Sequence, residues 1–122
     1  MNMEIKEPLC RVRDIYRSIN DFEIEFYARY KVKLNEGMLL CSLSKLERCS
    51  SGEIAELLGL TSSNSSKVII SVEKKGLIER IVGKDDKRQM FFRLTEKGKG
   101  CISRIKSESD SIDELIEKIH KI

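Results

Sequence analysis

The chain has 122 residues, with 23 Lys or Arg against 20 Asp or Glu, four Cys, one His and a formal net charge of +3. A chain of this length supports one domain, residues 1–122, whose core needs no disulfide or metal. No stretch approaches the roughly 20 consecutive apolar residues of a membrane span, and MNMEIKEPLCRVR lacks the apolar run of a secretion signal, so a cytoplasmic protein without membrane contact is expected.

Leu9, Val12, Ile15, Ile19, Phe22, Phe26 and Tyr30 step by three or four, which predicts a long first helix. A break around Lys31 to Leu34 follows. Asn35 then caps a second helix whose inward side is Met38, Leu39, Leu43 and Leu46. Ser50 and Glu53 form a capping box, in which each side chain satisfies an orphan amide, and Ile54, Leu57 and Leu58 share the buried face of a short helix. Gly59 is the left-handed stop. Thr61 caps the next helix, in which Val68, Ile69 and Val72 point inward and Ser62, Ser63, Asn64, Ser66, Lys67 and Ser71 do not. Gly76 ends it.

The periodicity then changes from helical to alternating. Leu77 to Val82 reads as a strand, Gly83 to Lys87 as a turn, and Arg88 to Leu94 as the returning strand with Met90, Phe92 and Leu94 on one face. Thr95 opens a last helix carrying Ile102, Ile105, Ile112, Ile116 and Ile119, a stripe broken only by Ser109 and widened by Leu115 and Ile122. The predicted fold is mainly α with a small β-hairpin: a winged helix-turn-helix between long terminal helices. Residues 34–98 form the lobe, and residues 1–33 and 99–122 form dimerisation helices.

In such a lobe one short helix meets the DNA major groove while the hairpin reaches backbone and minor groove. Charge agrees with that placement. Residues 61–100 hold ten Lys or Arg against five Asp or Glu, net +5, whereas residues 1–60 and 101–122 each sum to −1. A clustered excess supplies the phosphate attraction that dominates nucleic-acid affinity. There is no Gly-rich phosphate loop, nucleophile elbow or metal motif, so neither catalysis nor a cofactor is expected. Cys41 and Cys49 lie eight apart without a His cluster or Cys-x-x-Cys pair, and are read as small hydrophobes rather than metal ligands; His120 is read as a solvated helix end.

The order and spacing of these pieces resemble the MarR family, the multiple-antibiotic-resistance regulators, over roughly residues 9–100. Asp86-Lys87-Arg88 matches the family's Asp-x-Arg wing element, and Leu94-Thr95-Glu96-Lys97-Gly98 matches its Leu-Thr-x-x-Gly close. Glu73-Lys74-Lys75-Gly76-Leu77 matches the end of its recognition helix. The resemblance implies a homodimeric regulator of transcription on double-stranded DNA, most often a repressor, switched by a small-molecule effector or by oxidation.

On that reading the DNA-contacting residues are Thr61, Ser62, Ser63, Asn64, Ser66 and Lys67 on the recognition helix, with Lys84, Asp86, Lys87 and Arg88 on the wing. The dimer interface draws on Val12, Ile15, Ile19, Phe22, Ile105, Ile112, Ile116 and Ile119. Relatives usually continue further after the position of Gly98 than the 24 residues present here. Cys10, near Arg11 and Arg13 at the start of the first helix, is a candidate redox cysteine by analogy with the hydroperoxide-sensing branch, although Tyr16, Tyr27 and Tyr30 are offset from the spacing that branch suggests. The competing function is a winged-helix module that docks proteins and binds no specific DNA.

Overall fold

A computed structural model of the chain describes residues 7–122, so the first six residues, including part of the stretch read for a secretion signal, lie outside it. Six helices and three short strands follow in order: α1 (Pro8–Tyr30), α2 (Leu34–Leu46), β1 (Cys49–Ser50), α3 (Ser51–Leu58), α4 (Ser62–Lys74), β2 (Ile78–Val82), β3 (Met90–Leu94), α5 (Glu96–Ser107) and α6 (Asp110–Lys121). No helix among the described residues is long and apolar enough to cross a membrane.

The local signals act as read. Ser50 Oγ accepts from the Glu53 amide at 3.2 Å while Glu53 Oε1 accepts from the Ser50 amide at 2.9 Å, which starts α3. Gly59 ends it at φ 65°, a conformation in which any Cβ is strained. Thr61 Oγ1 accepts from the Asn64 amide at 3.1 Å and starts α4. α3 and α4 pack against α2, and Leu39, Leu40, Leu43, Ile54 and Val72 are nearly solvent-free at the centre of the lobe. Leu40, which the apolar pattern passed over, is wholly buried. Met38, Leu46 and Leu57, expected inside, are about half exposed at 46%, 50% and 50%, because each lies at the edge of a stripe wider than the contact it makes.

The sheet is antiparallel in the order β1-β3-β2, so the hairpin gains a third strand. Cys49 and Ser50 pair with Phe92 and Phe91, which carries Cys49 into the core with no exposure. Burial pushes its thiol pKa up. The cap of α2 also moves: Lys33, not Asn35, precedes the helix, and its amide donates to Glu36 Oε1 at 2.6 Å.

The last helix is two helices. α5 stops at Ser107, and Glu108 leaves helical geometry (φ −111°, ψ 42°) before α6 begins. Glu108 Oε1 accepts from the Tyr30 hydroxyl at 2.9 Å and lies 3.4 Å from Arg104 Nε, holding the bend against α1. The isoleucine stripe is divided accordingly. Ile102 and Ile105 are 5% exposed inside the lobe, α5 packing on α2, so Ile105, expected at the dimer interface, is already covered by its own chain. Phe22 is likewise core, 8% exposed, with its ring 5.7 Å from that of Phe26. Ile112 and Leu115 on α6 pack partly on the same core, and α6 lies along α1 within one chain. Val12 and Ile116 remain 47% and 50% exposed, with Ile15, Ile19 and Ile119 half-buried.

Candidate nucleic-acid interface

The start of α4 and the β2–β3 turn present the residues singled out above. Ser62, Ser63, Asn64, Ser66 and Lys67 are exposed, while Ser65 between them is buried with its hydroxyl unpartnered. Two of the short polar side chains are already engaged. Thr61 Oγ1 is the cap, and Ser66 Oγ donates to the Ser62 carbonyl at 2.9 Å. That leaves Ser62, Ser63, Asn64 and Lys67 as the outward groups, and among them only Asn64 carries the amide that pairs bidentately with adenine.

At the wing, the turn closes through Gly83 N to Gln89 O at 2.9 Å and Gln89 N to Asp86 O at 3.0 Å. Asp86 accepts from the Arg88 amide at 2.9 Å and from its Nε at 3.2 Å. The Arg88 side chain remains 91% exposed. Its hydrogen bonds hold the Asp86 carboxyl below the usual carboxylate range, so Asp86 stays ionised and braces the guanidinium. This is the physical content of the Asp-x-Arg element. Further down the strands charge is balanced: Arg80 forks onto Glu73 at 2.7 and 3.2 Å, and Arg93 meets Glu79, its cross-strand partner, at 2.7 Å. The tip, with Lys84, Lys87 and Arg88 all exposed, carries the outward charge.

Two features escaped the sequence. Lys33 and Asn35, at the start of α2, border the same cleft as Asn64 and Lys67, which adds a cation beside the recognition face. Glu36 is 1% exposed and joins three elements: Oε1 accepts from the Lys33 amide and from Lys75 Nζ at 2.8 Å, and Lys75 Nζ also donates to the Lys31 carbonyl at 3.0 Å. Burial pushes the Glu36 carboxyl up, but the Lys33 amide and the Lys75 ammonium outweigh it and hold the pKa below the ordinary value. Lys75 caps the end of α4, so this pair ties α4 to the α1–α2 junction. A glutamate three residues after a helix start was the available local signal; its partner 39 positions away was not.

Cys10 is half-buried in the first turn of α1. The arginines beside it have other partners, Arg11 Nε donating to the Ile122 carbonyl at 2.8 Å and Arg13 Nε lying 3.9 Å from Asp14.

Comparison with known proteins agrees with this geometry. The profile of the MarR family matches residues 32–90, the segment from just after α1 to the first residue of β3. The uncharacterized HTH-type transcriptional regulator YwaE of Bacillus subtilis is 26% identical over 119 residues, covering 94% of this chain and 64% of its own length. The HTH-type transcriptional regulator PapX of Escherichia coli is 29% identical over 93 residues, covering 75% of this chain and 57% of its own length. This chain thus spans less than two thirds of either relative. The crystal structure of the S. aureus MepR–DNA complex superposes with a TM-score of 0.79 at 20% identity, over 96% of this chain and 85% of that one. Profile, relatives and fold converge on the lobe built above: residues 32–90 are similar to the MarR family, and the chain has the winged-helix fold of the solved MarR-type structures.

Proposed function

We propose that the protein is a sequence-specific regulator of transcription that binds double-stranded DNA as a homodimer, most often as a repressor, and releases it in response to a small molecule or to oxidation. It has no enzymatic role. The observation that carries the reading is the pairing of an exposed, short polar row at the start of α4 with an Arg88 that Asp86 braces at the exposed wing tip. Short side chains let the helix approach base edges closely, and the braced cation supplies a fixed charge for backbone or minor groove. Direct readout then falls mainly to Asn64, with Lys67, Lys84 and Lys87 on phosphate and Asp86 acting through Arg88. The docking-module alternative has no observation in its favour.

Selection of bound duplexes from a random pool, followed by sequencing, tests this. The expected product is an inverted repeat with half-sites about one helical turn apart. Absence of any enriched motif would leave the docking module.

The dimer needs its own test, and the fold decides which residue to change. Ile112 packs on the core of its own chain, so a charge there perturbs folding as well as association. Ile116 is half exposed on α6. Ile116→Asp should therefore halve the mass seen by light scattering at micromolar concentration, with circular dichroism unchanged, because a lone carboxylate in an interface costs several kcal/mol. A folded variant that stays dimeric would place the interface on α1, around Val12 and Ile15.

A further inference from the structure

The break between α5 and α6 has no ordinary local cause. Helices commonly stop at Gly or Pro, yet neither occurs between Cys101 and Ile122. Ser109, which precedes α6, makes no side-chain capping bond. Asp110 and Asp113 favour a helix start at this point, but charges in a first turn do not set the angle between two helices.

That angle is met from α1 instead. Tyr30 is 8% exposed, with its ring 4.9 Å from that of Phe26 and 5.0 Å from the Arg104 guanidinium lying over it. Packing thus fixes the ring, and its hydroxyl donates to Glu108 Oε1 at 2.9 Å. The Glu108 side chain is itself 42% exposed, so water would satisfy the carboxylate at other angles of the bend. The hydroxyl selects one of them.

The elbow separates two bodies. On one side α5 packs on α2 and β3 with the rest of the lobe, and on the other α6 lies along α1. α5 has 12 residues, which make about 18 Å of helix. A swing of about 10° at the elbow therefore moves its far end by about 3 Å, close to one base-pair step along DNA.

We propose that Tyr30, acting through Glu108, is a positioning residue that sets the half-site spacing the dimer accepts. It touches no DNA itself. The inference rests on the proposed function, in which α1 and α6 join two copies and each lobe carries one recognition helix. Tyr30→Phe is the matching variant, because it removes the hydroxyl and leaves the packed ring in place.

The test uses duplexes carrying the selected half-site twice, at the selected spacing and at spacings one and two base pairs longer and shorter. Wild-type protein should prefer the selected spacing about tenfold or more over its neighbours, and Tyr30→Phe, with unchanged circular dichroism, should prefer it about threefold or less. Glu108→Gln keeps an acceptor for the hydroxyl and should retain the preference; Glu108→Ala should lose it. Without DNA, the Ile112 and Asp113 amides, which donate to the Ser109 carbonyl at 3.0 Å, should exchange about tenfold faster in Tyr30→Phe. Should Tyr30→Phe fail to fold, Glu108→Ala takes its place in both measurements. A folded variant that keeps the wild-type spacing preference or exchange rate, or a Glu108→Gln protein that loses the preference, would overturn the proposal. A wild type that binds every spacing equally overturns this inference alone, whereas one that binds none of the duplexes overturns the proposed function with it.

Discussion

Gly98→Ala is expected to destabilise the protein by about 3 kcal/mol or more, although replacing a helical glycine by alanine ordinarily stabilises by roughly 0.5–1 kcal/mol. Gly98 lies in the first turn of α5, where its amide donates to Thr95 Oγ1 at 3.0 Å. The same threonine clamps α5 onto the α4–β2 turn: its amide donates to the Leu77 carbonyl at 3.1 Å and its hydroxyl to the Gly76 carbonyl at 2.6 Å. That clamp brings the backbones so close that a Cβ on residue 98 would collide with the Leu77 carbonyl group. Peptide atoms held by two hydrogen bonds have nowhere to move, so the cost is overpacking of the kind that displaces an element. Gly100, two residues on in the same helix, has nothing within 4 Å of the corresponding position, and Gly100→Ala should stabilise. Urea midpoints of the two variants, shifted in opposite directions from wild type, check the account. The glycine of the Leu-Thr-x-x-Gly element is on this view a packing requirement of the wing's attachment.

Lys75→Met is expected to cost about 3 kcal/mol, the low end for breaking a buried pair because the lysine side chain is 30% exposed. The loss falls on the partner. Glu36, 1% exposed, would lose its only cation and keep the Lys33 amide at Oε1 with the Ser71 hydroxyl nearby. The effect depends on pH with a definite sign. In the wild type the Glu36 pKa is held below the ordinary value, so its contribution is complete above the unfolded-state pKa and disappears as pH falls through the lower folded value. Without Lys75 the upward push of burial is opposed by much less, and that share of the acid-induced loss should shrink. Urea unfolding at neutral pH and again at acid pH measures both. A Lys75→Met protein with the wild-type midpoint at neutral pH would mean that the pair does not anchor α4.

Most of the lobe was legible because its signals are local. Ser50 with Glu53, Thr61 with Asn64 and the left-handed Gly59 each depend on residues within one turn, and capping chemistry acts at that range. The alternation of Met90, Phe92 and Leu94 exposed β3 for the same reason. The break between α5 and α6 was invisible because Ile105 and Ile112 are seven apart, a spacing that continues a helical stripe whether or not the chain bends at Glu108. What holds the bend is Tyr30, 78 positions away. β1 was missed because two residues cannot show an alternation, and Lys33 was missed as a neighbour of Asn64 because only the packing of α2 on α4 brings them to one cleft. The burial of Phe22 and Ile105 within their own chain was not legible on a related ground. A periodic apolar stripe says that a face is covered, not whether its own chain or a second copy covers it.

The salt dependence of binding to the selected duplex and to a scrambled duplex decides whether α4 and the wing meet DNA. Wild-type protein should bind both, the selected duplex more tightly, with affinity falling linearly against the logarithm of salt concentration. Arg88→Ala should weaken both and reduce the slope by about one unit, since one braced phosphate contact is lost. No measurable affinity for either duplex at low salt, or an affinity and slope that Arg88→Ala leaves unchanged, would contradict the assignment of α4 and the wing to DNA.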